Sequence, residues 1–255
     1  MALTGKSLFV YGLEVRSDNR NLPFRAVSGG PQLNAVLPAG FYSLTSLIAQ
    51  IKASMQVADP AHTYTVTVDR TVNGGTENRI TIATSGTYLD LLFATGTLAA
   101  SSCRDLIGFG IFDYTGATSY QNGNSSGVSL NTAWWATNYQ PPEVFAKNFG
   151  TVNVSTNGEK EAITWTVQRF ISAEYKFEPQ PKVLTEWRDL ISWMIQQKPF
   201  DFTPQVNEPL VVYEVTLEKS TEDGKGLGFR MKEMLPQFPF MYTTGAMTFR
   251  IRGEF

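Results

Sequence analysis

The sequence holds one cysteine, Cys103, and one histidine, His62. A single thiol excludes an intrachain disulfide, and two such residues in all exclude the clustered His and Cys ligands of a zinc site. Nucleophilic serines and cysteines usually rely on an imidazole base, so most hydrolytic chemistry is disfavoured as well. Charge is also scarce: 17% of the 255 residues carry it, and 21 Lys and Arg stand against 23 Asp and Glu, a formal net charge of −2. That balance leaves no basic excess to displace counterions, which argues against a nucleic-acid or anionic-membrane partner. No stretch reaches the roughly 18 apolar residues of a membrane span. The opening Met1 to Val10 lacks the charged and apolar regions of a secretory leader, so a soluble protein made in a cytoplasm is expected.

What is present argues for a packed core with many turns. Hydrophobic residues make up 42% and aromatics 13%, beside 21 Gly and 13 Pro. Ser, Asn and Gly cluster from Thr118 to Gly127, and Asn138-Tyr139-Gln140-Pro141-Pro142 reads as extended. These place a polar linker and a boundary near residue 130. The expected fold class is α+β, with two β-rich domains, residues 1–130 and 131–255, each pairing antiparallel hairpins or sheets with a packed helix.

In the first domain Ser43 is a cap candidate, and Leu44, Leu47, Ile48, Ile51 and Met55 recur at helical spacing, so a helix is expected over about 44–56, ending before Asp59-Pro60. Tyr64, Val66 and Val68 alternate with Thr65, Thr67 and Asp69. Asn73-Gly74-Gly75 supplies turn residues, and Ile80 and Ile82 mark the return strand. A hairpin over about 62–84 follows. Apolar turns are expected at Tyr88 to Phe93 and at Cys103 to Ile107, leading to Gly108-Phe109-Gly110.

The second domain repeats the strand signals without repeating the sequence. Val152 and Val154 precede Asn157-Gly158, and Ile163, Trp165 and Val167 alternate beyond it, so a second hairpin is expected. Strand residues continue through Ile171, Ala173, Tyr175 and Phe177. Val183, Leu184, Trp187, Leu190, Ile191 and Met194 then mark a helix over about 183–196. Val211 to Leu217, a turn at Asp223-Gly224, and Met247, Phe249 and Ile251 complete an antiparallel sheet.

Few residues invite chemistry. Gly108-x-Gly110-x-x-Asp113 lacks the last glycine of a dinucleotide fingerprint, and Gly224-Lys225-Gly226-Leu227-Gly228 lacks the Gly-Lys-Ser/Thr ending of a phosphate loop. His62 has no nucleophile motif to serve, and Cys103 reads as a small buried apolar residue. Glu159 with Glu161, and Glu218 with Glu222, sit in or beside turns as solvated charge. Asn124 and Asn153 match a glycan acceptor pattern that carries no weight without a leader. No catalytic, cofactor-binding or metal-binding residue is assigned, and no cofactor is expected. Trp134, Trp135 and Tyr139, in and beside the polar linker, are candidate interaction residues, because flat rings with polar edges bind sugars and protein partners alike. Asn73 and Gly74, at the first hairpin's tip, are a second candidate.

Leu37-Pro38-Ala39-Gly40-Phe41-Tyr42-Ser43, Tyr64-Thr65-Val66-Thr67, Leu91-Leu92-Phe93-Ala94-Thr95-Gly96 and Leu106-Ile107-Gly108-Phe109 follow in an order that resembles proteins of the tail-gene clusters of long-tailed bacteriophages. Glu186-Trp187 through Trp193-Met194, with Pro199-Phe200-Asp201-Phe202-Thr203-Pro204, is similar to tail-tip components of the distal-tail type. The resemblance implies a non-enzymatic baseplate protein of the virion: a ring of identical copies joining the tail tube to the tail-tip hub, with other tail proteins as partners and no nucleic acid or membrane. A neutral Thr, Asn and Ser surface suits like copies packed side by side. The segment Thr118 to Tyr139 and the hairpin Val68 to Ile80 are then the candidate clasping arms. The alternatives are a receptor- or carbohydrate-binding module using Trp134, Trp135 and Tyr139, and another virion part such as a head-decoration or tail-completion protein.

Overall fold

Nineteen strands, two longer helical segments and one turn of 3-10 helix at Ala99–Ser101 carry the chain in a computed structural model that describes residues 6–71, 78–123, 132–136, 143–205, 208, 210–219, 231–234 and 238–253. Every strand pair whose register is described is antiparallel, so the protein is β-rich and built of several antiparallel sheets. The chain divides into two compact units. One is Phe9–Ala133 with Val206–Leu210; the other is Met1–Leu8, Trp134–Gln205 and Val211–Phe255. The changeover at 133/134 lies beside the boundary expected near 130, but the first eight residues group with the second unit.

The strand β1 (Lys6–Val10) is followed by β2 (Leu13–Val15), β3 (Asn21–Arg25), β4 (Leu33–Val36) and β5 (Gly40–Tyr42). The helix α1 (Leu44–Ala58) starts where the sequence indicates. Ser43 accepts from the Ser46 N–H while Ser46 Oγ accepts from the Ser43 N–H, a reciprocal cap on the first turn. It buries Leu44, Leu47, Ile51 and Met55 and packs on β4 and β6 (Tyr64–Asp69). Each such side chain contributes about 1.5–3 kcal/mol by leaving water.

The expected first hairpin is β6 paired with β7 (Arg79–Thr84), with Tyr64, Val66, Ile80 and Ile82 buried. Tyr88 to Phe93, expected as a turn, contains the strand β8 (Leu89–Leu92), all four residues buried. In the sheet β4-β3-β8-β9, with β9 (Asp113–Ala117), β8 is covered on both faces and therefore shows no alternation. Part of the expected linker is also strand. The strand β10 (Ser119–Gln121) joins the outer edge of β7, and buried Asn122 locks it there. The Asn122 amide accepts from the Ile80 N–H (2.8 Å) and donates to the Ile107 carbonyl (2.6 Å), while its own N–H reaches the Ile80 carbonyl. A polar composition here reflects backbone-mimicking bonds and not a loose tether.

In the second unit, β11 (Thr132–Ala136), β12 (Glu143–Val154), β13 (Lys160–Glu174), β15 (Phe200–Thr203), β16 (Tyr213–Lys219) and β19 (Ala246–Ile251) combine with β1 in a seven-stranded sheet ordered β11-β1-β15-β16-β19-β13-β12. A small sheet holds β14 (Glu178–Pro179), β18 (Phe238–Thr243) and β17 (Lys232–Met234). The strand run expected to reach Phe177 ends earlier, and Phe177 takes a left-handed φ of 59°. The expected second helix is three consecutive pieces: α2 (Gln180–Lys182), a π-helical stretch Val183–Trp187, and α3 (Arg188–Ile195). The wider π turn shifts the apolar face, which leaves Leu184 exposed while Trp187, Leu190, Trp193 and Met194 are buried. The turn expected at Asp223-Gly224 lies outside the described residues.

Candidate functional site

Trp134 and Trp135 lie on β11, at one edge of the seven-stranded sheet. Tyr139, Asn73 and Gly74 lie outside the described residues, as do the tip of the first hairpin and residues 124–131 of the segment Thr118 to Tyr139. At the opposite edge is a feature the residue-by-residue reading did not single out. Strands β12 and β13 are 12 and 15 residues long, and β19 supports β13 only from Phe170 to Glu174.

Beyond that point, among the described residues, β13 pairs with β12 alone. The side chain of Gln168 takes over one support position, donating to the Ile251 carbonyl at 2.6 Å. From Asn148 to Val154, β12 pairs with β13 residues that no third strand among the described residues backs, so a two-stranded arm extends about 23 Å at 3.3 Å per residue. It closes at Ser155 to Glu159, where Gly158 adopts φ 85°, a conformation that suits the Asn157-Gly158 pair. Phe149, Val154 and Val167 are 46%, 60% and 48% exposed along it. A two-stranded ribbon has too little covered surface to be more than marginally stable in water, so these apolar positions gain most from a partner. The sequence signal for the arm was its length: each strand is at least twice the usual five to six residues.

At the arm's base Phe145 stacks on Phe170 with ring centroids 5.6 Å apart, and the Lys147 ammonium lies 5.4 and 5.2 Å from the two ring centres. These contacts fix the start of the arm through ring and cation–π attraction.

The titratable groups elsewhere act as fasteners. His62 Nδ1 lies 2.8 Å from Asp59 Oδ2, and the Tyr64 hydroxyl donates to the same oxygen at 2.6 Å. Burial opposes ionisation of Asp59, but the bonds from Tyr64, His62 and the Ala61 N–H outweigh it and hold its pKa below the ordinary carboxylate range. The trio ties the C-terminal end of α1 to β6. A Cβ added at Gly86 would come within 2.7 Å of the His62 ring, so that glycine lets the β7–β8 turn lie against the histidine. Asp113, the last position of the incomplete dinucleotide pattern, accepts from the Ala94 and Thr95 N–H groups and from the Thr95 hydroxyl, and thereby closes a turn. Burial pushes the Cys103 thiol up to about 12, which keeps it protonated at neutral pH. In the second unit burial also raises the pKa of Glu178, partly offset by the Lys182 ammonium at 3.4 Å and by the Trp187 indole.

Among the described residues no three His, Cys, Asp or Glu side chains gather closely enough to hold a metal ion, and no helix is long and apolar enough to cross a membrane. No protein-family model and no curated protein matches the chain.

Proposed function

We propose that the chain is a non-enzymatic structural protein of a phage tail, a ring-forming adaptor at the tail tip or baseplate that joins the tail tube to the hub. Its architecture is read as α+β, two β-rich domains each with a packed helix. The observation that carries the reading is the arm formed by β12 and β13, which holds Phe149, Val154 and Val167 on a ribbon that no third strand supports among the described residues. Such a ribbon suits burial between copies. The low charge supports the same reading, because like copies packed around a ring repel one another little. Its partners are then copies of itself and other tail proteins, and its location is the virion tail.

Native mass spectrometry and negative-stain microscopy of the purified chain test this. Closed rings of defined copy number, with the protein present in purified virions, are the expected result. A chain that forms no ring at any concentration and is absent from virions would overturn it.

A further inference from the structure

The free edge of β12 has a polarity that can be worked out from its neighbours. The Arg252 N–H donates to the Glu214 carbonyl, in register with Val215 opposite Ile251, so even-numbered β19 residues direct their backbone groups toward β16. Odd-numbered β19 residues, opposite Ile171 and Ala173, therefore bond β13. It follows that Phe170 and Ser172 bond β12, at Phe145 and Glu143. The N–H and C=O groups of Val144 and Ala146 then point outward, at the end of the sheet, where among the described residues β12 has no second neighbour.

An antiparallel strand placed on that edge finds a self-complementary pattern. When β12 meets a second β12 about a two-fold axis at Phe145, Val144 and Ala146 of each copy form hydrogen-bonded pairs with Ala146 and Val144 of the other. Phe145 faces Phe145, and Glu143 faces Lys147 twice, in the non-hydrogen-bonded positions where cross-strand side chains come closest. Among the described residues no ion pair occupies either charge: Glu143 is exposed, and exposed Lys147 rests on the two rings. Other two-fold registers lose this match. A shift of two positions one way sets Glu143 against Phe145, a shift the other way sets Lys147 against Phe145, and a further shift sets Lys147 against Lys147. Pro141 and Pro142, which precede β12 in sequence, carry no N–H to donate to a ladder.

We infer that residues Glu143 to Lys147 of β12 form an isologous contact with the same residues of a second copy of this chain, continuing the seven-stranded sheet across a two-fold axis. The aromatic row Phe170–Phe145 continues through the axis into its symmetry mate. The contact makes pairs: two chains, or two rings back to back if the chain also closes into rings. It does not depend on the ring reading.

Charge exchange tests it, with native mass spectrometry at about 100 μM as the readout, a concentration suited to a contact this small. E143K sets Lys against Lys twice, and K147E sets Glu against Glu twice. Each is expected to have half the wild-type assembly mass, with association roughly tenfold to a hundredfold weaker. The double exchange E143K/K147E restores the wild-type mass, and mixing the two single variants restores it through a mixed pair. V144P, which removes one outward N–H, also halves the mass. Wild-type mass in both single variants, half mass in the double exchange, or a wild-type mass that stays that of one chain or one ring would overturn the inference. The ratio of masses reads the pair whatever the copy number of a ring, so failure of the ring reading leaves this result distinct.

Discussion

Two hairpins carry nearly the same sequence signal and end in opposite circumstances. In the first, β6 and β7 alternate apolar and polar residues, and the structure seals them: α1 packs on β6, β10 takes the outer edge of β7, and the Asp59, His62 and Tyr64 fastener holds the base. In the second, β13 alternates from Ile163 to Gln168, yet among the described residues the outer halves of β12 and β13 pair only with each other. Alternation reports that a strand has two unlike faces. Whether anything covers those faces is decided by distant parts of the chain.

The sharpest way to break this contrast is to truncate one apolar side chain in each hairpin. Ile82→Ala removes a fully buried side chain under a packed layer and is expected to cost about 2–5 kcal/mol. Val167→Ala, on the arm, is expected to change stability by about 0.5 kcal/mol or less. Urea unfolding of both variants checks the difference, and equal losses would show that the arm is buried within the single chain.

A smaller effect is expected at the edge of the first hairpin. Asn122→Ala leaves buried partners on Ile80 and Ile107 without their bonds and is expected to cost about 1–3 kcal/mol, with hydrogen exchange accelerated first at β10 and β7.

The smallest effects are pH-dependent and opposite in sign in the two units. Asp59 has a lowered pKa in the fold, so its contribution is present above the ordinary carboxylate value of about 3.9 and is lost as pH falls through the folded value. Asp59→Asn should flatten stability against pH at that acid end. Glu178 has a raised pKa, so its relative contribution is complete below about 4.3 and is lost as pH rises through the folded value. Glu178→Gln should remove that decline. Denaturant midpoints from about pH 3 to 7 measure both, and slopes of the same sign would contradict the assigned environments.

Legibility followed the range of the interactions. Ser43, the spacing of Leu44 to Met55 and the Asp59-Pro60 stop delimit α1 because caps and helix faces are set within a few residues. Asn157-Gly158 marks the second turn for the same reason. Strand β8 was hidden because it is four residues long and buries all of them, including Asp90, which accepts from the Tyr88 hydroxyl and the Gly116 N–H. Strands β1 to β5 carry no turn-and-alternation signature as clear as the two hairpins and owe their pairing to remote partners: β3, for instance, lies between β4 and β8. Leu184 was placed on the apolar face because helical spacing assumes an α turn, and the π turn at Val183–Trp187 breaks the phase.

The sequence by itself determined the local elements and the chemical character: two well-marked hairpins, a capped helix, a nearly neutral surface, and one histidine and one cysteine. The tertiary structure alone decided which strands sit at the ends of the sheet, that β12 presents Val144 and Ala146 outward, and that the second hairpin outruns its support. Backbone pairing is chemically the same for any two strands, so an edge becomes an edge only when the rest of the chain has taken every other place.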